Sequence, residues 1–364
     1  MPPKPSGRGG SIGCDGGQST VRTQAGIRLE RTGAGAAFLL ADVKTTLDLT
    51  EDEGYLHLAP QGLLIIVPMP ETGRWRLIAH MPTPLDVPAS AIDATHLDDV
   101  IRQRTGLEFG SHDVSWTSQF NLSHGVADRF RNGRVFLAGD AAHVHSPVGG
   151  QGLNTGVQDA HNLIWKLALA RQLSASAAEE LVASYERERR GTALPMVHGV
   201  AKVTRVITAR ASVARRVLGM LAPRVLARPR IHNKLGRAVG MLELAYPVTR
   251  GEARRGVGRR LVNPEFVSGG RLHERLNPTD FTWVVWGGAL PDRREREDAC
   301  WSGLPVVFVS DDSLIAPVRV PQDRRVMLVR PDRYVAAAGP DAWSVHGALA
   351  GLVASPLDDA VVAA

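Results

Sequence analysis

Apolar residues change their spacing along the chain, and the changes mark different elements. Residues 135–138 form a short continuous apolar run of the length expected for a buried strand. After a glycine-rich stretch, apolar residues recur at helical spacing, namely Leu153, Val157, Ala160, Leu163, Ile164 and Leu167. The pattern predicts a strand, a tight connection and a long helix that begins where the glycines end.

Residues 33–122 instead show the short runs that are typical of β-strands. Runs separated by Gly and Pro predict strands over residues 36–47, 55–58, 62–67, 75–81 and 114–122. One helix is predicted over residues 91–104, with Ile92, His96 and Val100 on one side. Periodicity alone does not distinguish an independent β-sandwich from a sheet that belongs to a larger domain.

The second half of the chain begins with helical patterns and ends with strands. A helical run over residues 177–190 ends in the charged segment YERERR, which we expect to be exposed, and helical patterns continue to about Leu244. From about Phe266 the pattern predicts a separate module, with strands over residues 282–286, 306–310 and 325–329. The module has no C-x-x-C pair, so thiol–disulfide chemistry is not expected there.

Composition narrows the class of protein. The 364 residues are 44% hydrophobic and 22% charged, which is ordinary for a globular protein of two or three domains. No apolar run is long enough for a membrane helix, and residues 1–10 lack the apolar core of a signal peptide. Cys14 and Cys300 are the two cysteines and lie far apart in sequence, so we expect reduced thiols and a cytoplasmic protein.

The net charge of +6 comes almost wholly from arginine, and residues 191–242 contain several arginines and no acidic residue. Such a segment suits an anionic partner, or helices whose arginines are solvated or face a polyanionic cofactor. No nucleic-acid motif accompanies the charge. We therefore favour the second interpretation and predict neither a nucleic-acid nor a membrane partner.

The connection between the predicted strand and helix combines an acid, glycines and a helix N-terminus. Gly139 and Asp140 place a carboxylate at the end of the strand, and residues 147–152 (PVGGQG) let the backbone approach a ligand closely. A helix N-terminus carries free N–H groups that favour negative charge. The arrangement suits a ligand with hydroxyls for Asp140 and an anionic part for the helix.

Residues 133–168 resemble the second FAD-binding motif of the flavin-dependent aromatic hydroxylases, the single-component phenol and polyketide monooxygenases. Residues 11–26 are similar to another motif of that family, Cys-Asp-Gly-Gly-Arg-Ser, which is implicated in binding FAD and the nicotinamide cofactor. Here Gln18 takes the place of the arginine. Residues 328–335 resemble the end of the family's thioredoxin-like C-terminal domain.

The resemblance implies an α/β fold made of several parts. Residues 1–32 and 123–190 would form part of a FAD-binding domain of the glutathione-reductase type, and residues 33–122 an antiparallel-sheet substrate domain. Residues 191–265 would be a helical connection and residues 266–364 a thioredoxin-like domain. No G-x-G-x-x-G unit stands near the N-terminus, so we expect the N-terminal dinucleotide-binding half to be missing and FAD to bind weakly.

By the same resemblance, Asp140 would hydrogen-bond a hydroxyl of the FAD ribityl chain, and the N–H groups of residues 150–154 would face the pyrimidine edge of the flavin. Pro147 would lie near the reactive face of the flavin and is the residue assigned to catalysis. The implied cofactor-binding residues are Asp15, Gly139, Asp140, Pro147, Gly149, Gly150, Gln151, Gly152, Leu153 and Asn154. His143 and His145 have no third ligand at a suitable spacing, so no metal site is predicted.

The activity that the resemblance implies is hydroxylation of a phenolic or polycyclic, polyketide-like aromatic through a flavin hydroperoxide. FAD would be the cofactor, and NADPH or NADH the co-substrate. The implied partners are a small aromatic substrate and molecular oxygen, and a homodimer is left open. The alternative is a truncated, catalytically inactive flavoprotein homologue that binds a ligand or a partner chain.

Overall fold

The structure is a computed structural model that describes residues 10–144, 150–208, 228–287, 303–342 and 344–345. Across these residues the chain forms three β-sheets, two long helices and several short ones. The fold is therefore mixed α/β, as the sequence predicts. Among the described helices, none combines the length and the apolar character needed to cross a bilayer.

The first sheet is small and joins the two segments that carry the predicted cofactor motifs. Strand β1 (Ser11–Gly13) runs parallel to β8 (Val135–Leu137), and β7 (Arg131–Asn132) pairs antiparallel with β8 on its other side. A short helix, α1 (Thr20–Gln24), follows β1 and is capped by the Ser19 hydroxyl. Because β1 and β8 are parallel, the segments that follow them leave the sheet at the same edge.

The second sheet has six antiparallel strands in the order β3–β4–β5–β2–β6–β9. They are β2 (Leu29–Lys44), β3 (Tyr55–Ala59), β4 (Gly62–Pro68), β5 (Arg74–Met81), β6 (His112–Ala127) and β9 (His143–Val144). The predicted strands are confirmed, but β2 and β6 are longer than predicted. Both continue past residues 32 and 122, where the sequence suggested domain boundaries.

Helix α2 (Ala94–Thr105) covers one face of this sheet. It begins at a capping box on Asp93 and ends at Gly106, whose positive φ terminates the helix. Its buried residues Leu97 and Ile101 pack in one core with side chains of the sheet such as Trp75. The sequence therefore predicts this helix correctly, with a start three residues too early.

Two long helices lie between the first sheet and the C-terminal part. Helix α3 (Gly152–Ala170) begins at the glycine turn, as predicted. Helix α4 (Ala175–Thr208) continues well past residue 190, with Pro195 inside it. The expectation that the YERERR segment is exposed is wrong in part, because Tyr185 and Arg189 are fully buried. Both side chains make hydrogen bonds that compensate for their burial, to the Leu137 carbonyl and to the Asp159 carboxylate.

The third sheet comprises four strands in the order β11–β10–β12–β13. They are β10 (Thr282–Trp286), β11 (Val306–Val309), β12 (Val326–Val329) and β13 (Val335–Gly339). Strand β10 is parallel to β11 and antiparallel to β12, and β12 is antiparallel to β13. The first three strands are confirmed predictions. The sequence did not predict β13, since its alanine-rich VAAAG run carries little strand preference.

Two short helices, α5 (Pro229–Val239) and α6 (Arg250–Arg254), precede the third sheet. Trp165 of α3 and Leu181 of α4 pack with Phe281 and Trp283 in one core. Leu163 of α3 instead packs in the core of the first sheet. The two long helices are thus the layer that connects the small sheet to the C-terminal sheet.

Candidate functional site

The two sequence motifs meet at the adjacent ends of β1 and β8. The Ala138 N–H donates to the Gly13 carbonyl at 3.0 Å, which continues the parallel pairing past the strands. Arg22 of α1 is buried and donates to the carbonyls of Ala141 and Gly17, each at 2.9 Å. One guanidinium therefore joins the turn after β1 to the turn after β8.

The turn after β8 places Asp140 at the surface. Gly139 has a positive φ of 61°, a conformation that other residues rarely adopt, and Asp140 is exposed. A Cβ atom added to Gly156 of α3 would lie 3.1 Å from the Gly139 Cα atom. The turn is therefore seated directly on the backbone of α3, and the absence of side chains at both glycines permits this contact.

The N-terminus of α3 lies at the same site and has no side-chain cap. Gln151 is the N-cap residue, but its side-chain amide donates to the Ala238 carbonyl of α5 at 3.0 Å. Among the described residues, no acceptor is found for the backbone N–H groups of Gly152, Leu153 and Asn154. These groups and the positive end of the helix dipole suit an anionic or strongly accepting ligand atom.

Seven of the ten residues predicted to bind cofactor lie in the turn after β8, just before α3 or at the start of α3. They are Gly139, Asp140, Gly150, Gln151, Gly152, Leu153 and Asn154. Leu153 and Asn154 are exposed, and Leu153 is 81% exposed. Pro147, Gly149 and His145 lie outside the described residues. The turn and the N-terminus of α3 are adjacent through the contact between Gly139 and Gly156.

Asp15 has a local structural role in this structure. Its carboxylate accepts hydrogen bonds from the Ser19 hydroxyl and from the backbone N–H groups of Thr20 and Val21, the latter two at 2.7 and 3.1 Å. The Ser19 hydroxyl and the Val21 N–H lower the pKa of Asp15. Both carboxylate oxygens thus serve the N-terminus of α1 and fix the segment that faces the Asp140 turn.

A buried carboxylate lies behind the Asp140 turn, and the sequence did not point to it. Asp159 of α3 is fully buried and accepts from the Gly139 N–H at 3.0 Å, from His143 Nε2 at 2.6 Å and from Arg189 Nε at 2.6 Å. Burial alone would raise the pKa of Asp159, but the bonds and charges of His143 and Arg189 lower it. His143 is therefore a hydrogen-bonded residue of the protein interior. Within the part of the chain that the structure describes, no three His, Cys, Asp or Glu side chains cluster as metal ligands would.

A second buried charged cluster joins the helices to the third sheet. Glu188 of α4 accepts from Lys166 of α3 at 2.9 Å and from Arg330 at 2.8 Å through each oxygen. Arg330 also donates to Asp332, at 3.0 and 2.6 Å. Burial would raise the pKa of Glu188, but the charges of Arg330 and Lys166 lower it to about 2. The cluster supports the layer on which the turn is seated.

Comparison with known proteins identifies the family. Residues 11–199, more than half of the chain, match the family described as FAD binding domain. The chain belongs to this family. The matched range contains both motif segments, the six-stranded sheet and α3, and it ends within α4. The third sheet lies outside it.

Relatives of this family member carry monooxygenase names. The uncharacterized aromatic compound monooxygenase YhjG of Bacillus subtilis (strain 168) is 34% identical over 348 residues, covering 92% of this chain and 66% of that protein. The 6-methylpretetramide 4-monooxygenase of Streptomyces rimosus is 31% identical over 368 residues, covering 90% of this chain and 63% of that protein. The chain thus spans slightly less than two thirds of these relatives.

A solved structure shows the same fold. The anhydrotetracycline hydroxylase OxyS of Streptomyces rimosus is similar with a TM-score of 0.64 and 28% sequence identity, covering 90% of this chain and 65% of that one. The similarity extends over nearly the whole chain. The mixed α/β fold of the described residues is therefore similar to that of an anhydrotetracycline hydroxylase.

Proposed function

We propose that this family member binds FAD and takes part in the NADPH- or NADH-dependent hydroxylation of a phenolic or polycyclic aromatic compound. The observation that carries the proposal is that the Asp140 turn, whose carboxylate is exposed, packs on α3 near a helix N-terminus whose first N–H groups have no acceptor among the described residues. The monooxygenase names of its relatives support the reaction class. Molecular oxygen and a small aromatic substrate are the partners of that reaction.

The residues present fit the flavin end of FAD. The Asp140 carboxylate is exposed and can accept a hydrogen bond from a hydroxyl of the ribityl chain. The N–H groups of Gly152, Leu153 and Asn154 suit the oxygen-rich edge of the flavin, where negative charge is stabilised by a helix N-terminus. FAD supplies the redox and oxygen chemistry when it is bound, and the chain binds it, orients it and excludes water.

The architecture supports a division of roles among the three sheets. The small sheet and α3 form the flavin-binding part, corresponding to residues 1–32 and 123–190. The six-stranded sheet, centred on residues 33–122, is the substrate domain. It reaches the flavin-binding turn through the pairing of β9 with β6, where His143 lies opposite Val126.

The C-terminal sheet is thioredoxin-like in this proposal. One parallel and two antiparallel pairs in the order β11–β10–β12–β13 support that assignment for residues 266–364. Residues 191–265 connect it to the rest. Its contacts with α3 and α4 indicate a role in supporting the helical layer rather than in redox chemistry.

Flavin binding is tested by titrating the chain with FAD and following flavin fluorescence. Asp140→Ala removes the proposed acceptor, and we expect the affinity to fall roughly ten- to a hundredfold, the effect of losing one charged hydrogen bond. Asp312→Ala is the matched control, since Asp312 is an exposed acid in a turn of the third sheet. Asp128 is less suitable, because it pairs with Arg28 at 3.2 Å.

Equal affinities in the Asp140→Ala and Asp312→Ala variants would contradict this placement of the cofactor. The reaction itself is tested separately, by measuring oxygen uptake with NADPH in the presence and absence of simple phenols. Stimulation of oxygen uptake by a phenol, with formation of the corresponding catechol, is the expected result.

A further inference from the structure

The Asp140 turn is held from inside the protein by one carboxylate. The Asp159 side chain is fully buried and makes a 3.0 Å hydrogen bond to the Gly139 N–H, one peptide before Asp140. The Gly139 N–H thus points to a buried group, whereas the side chain of the next residue, Asp140, is exposed at the surface. The orientation of the Gly139 peptide therefore determines where the Asp140 carboxylate lies.

The same carboxylate is fixed by groups from two other elements. His143 of β9 approaches at 2.6 Å through Nε2, and Arg189 of α4 donates through Nε at 2.6 Å. Arg189 also donates to the Thr155 carbonyl of α3 at 3.2 Å. Asp159 is thus the meeting point of the turn, β9, α3 and α4, and its charge is balanced within the interior.

We propose that Asp159, held by His143 and Arg189, is a positioning residue for flavin binding that acts through Asp140. This inference rests on the proposed function. In it, Asp159 does not contact the cofactor but orients Asp140, which does. A neutral side chain at position 159 would still fill the space. It would weaken the bond that fixes the Gly139 peptide, and the Asp140 carboxylate would then sample several orientations.

If the role of Asp159 were purely structural, a different result would be expected. Comparing two flavin ligands distinguishes a structural role from a positioning role. Riboflavin carries the ribityl chain that Asp140 is proposed to bind, whereas lumiflavin has the same ring system without that chain. A general loss of structure weakens the binding of both ligands. A loss of positioning at Asp140 weakens only the binding of riboflavin.

The test is a fluorescence titration of the full chain with riboflavin and with lumiflavin. Asp159→Asn keeps an oxygen for the Gly139 N–H but removes the charge that pairs with Arg189. We expect riboflavin affinity to fall about tenfold, with lumiflavin affinity unchanged, because one well-oriented hydrogen bond is lost. In an Asp140→Ala background, Asp159→Asn should cause no further loss, since the two residues act on one contact.

Two results would contradict the positioning role without contradicting the proposed function. One is normal riboflavin affinity in Asp159→Asn, and the other is an equal loss for both ligands. If the parent chain binds neither ligand, the proposed function fails and this inference fails with it.

Should Asp159→Asn not fold, His143→Gln serves in its place, because it leaves the Asp159 carboxylate unchanged and keeps a hydrogen-bond donor beside it. A smaller loss confined to riboflavin is expected for that variant, and an equal loss for both ligands would overturn the proposal.

Discussion

Cys14 shows at the scale of one residue how the two motif segments influence each other. Its thiol is free and lies at the exposed side of the turn, and its pKa is raised first by partial burial and then by the negative charges of Asp159 and Asp15. Asp159 stands on α3, far from Cys14 in sequence. The thiolate fraction of Cys14 should therefore respond to the charge of Asp159, and it can be determined without any flavin.

We predict that Cys14 reacts slowly with iodoacetamide at pH 8 and that Asp159→Asn accelerates the reaction, because removing a negative charge lowers the thiol pKa and raises the thiolate fraction. The rate is measured by mass spectrometry in a Cys300→Ser background, so that one thiol remains. Asp312→Asn removes an acid of the third sheet and should leave the rate unchanged. An unaltered rate in Asp159→Asn would show that its charge is not felt at Cys14.

The parts of the candidate site that could be predicted from sequence are those that need a particular backbone conformation. The acid after a strand and the glycines before a helix mark the Asp140 turn without knowledge of any partner. Asp159 and Arg189 could not be found in this way, because each looks like a surface charge until the other is placed beside it. A matched set of opposite charges on two consecutive helices is the signal that could have identified them.

At the scale of elements, α3 departs from the pattern that predicts it. The helix is confirmed, but three of the apolar residues that revealed it, Leu153, Val157 and Ile164, are 81%, 60% and 53% exposed. Its buried face carries Asp159, Asn162 and Lys166, which bond to charged groups on α4 and near the third sheet. Hydrophobic periodicity predicts that this segment is a helix. Which side of the helix is buried depends on the charged groups of neighbouring elements, and these cannot be recognised from the periodicity of the helix itself.

Gly156 provides a test of how closely α3 must approach the turn. Gly156→Ala would place a Cβ atom 3.1 Å from the Gly139 Cα atom, so the turn must move away from the helix. We predict weaker flavin binding and a protein less stable by about 1 kcal/mol, since the steric cost exceeds the helix-propensity gain of alanine. Urea unfolding and flavin titration measure the two effects.

Gly199→Ala is the matched control for that prediction. Gly199 is an exposed helical glycine of α4 with nothing within 4 Å of an added Cβ atom. The same substitution should there stabilise the protein by about 0.5–1 kcal/mol, through helix propensity alone. Stabilisation of similar size at both positions would mean that the contact between Gly139 and Gly156 does not constrain the turn.

At the scale of the whole molecule, the charged cluster around Glu188 stabilises the attachment of the C-terminal sheet to helices α3 and α4. Arg330 lies between β12 and β13, is 8% exposed and forms a bidentate pair with Glu188 as well as bonds to Asp332. Lys166 also donates to Glu188, but burial lowers the pKa of Lys166 to about 8 despite the nearby carboxylates. Arg330 is therefore the cation that compensates the two buried acids, and Lys166 contributes less.

The two cations should accordingly differ when each is replaced by methionine. Arg330→Met leaves Glu188 and Asp332 without their main partner, and we predict a loss of about 3–5 kcal/mol in the free energy of unfolding at pH 7.5. Lys166→Met removes an ammonium that is costly to bury and leaves the Arg330 pair intact, so its effect should be within about 1 kcal/mol. Calorimetry of the full chain measures both variants. A second, low-temperature transition in Arg330→Met would show that the C-terminal sheet has separated from α3 and α4.

The pH dependence of the stability of these two variants tests independently which cation compensates Glu188. The pKa of Glu188 in the folded chain, about 2, is below its ordinary value of 4.5, so its contribution to stability is complete above about pH 4.5 and is lost as the pH falls toward 2. Removing the guanidinium raises the pKa of this carboxyl, and the deficit of Arg330→Met relative to the parent should therefore shrink as the pH is lowered from 5 to 3. Lys166→Met also removes a charge that lowers the pKa of Glu188, so its difference from the parent should change in the same direction over that range, but by less. If the Arg330→Met deficit grew on acidification, or if Lys166→Met proved the more damaging change at pH 7.5, Arg330 would not be the group that compensates these acids. The attachment of the C-terminal sheet would then rest on its apolar contacts through Trp165 and Phe281.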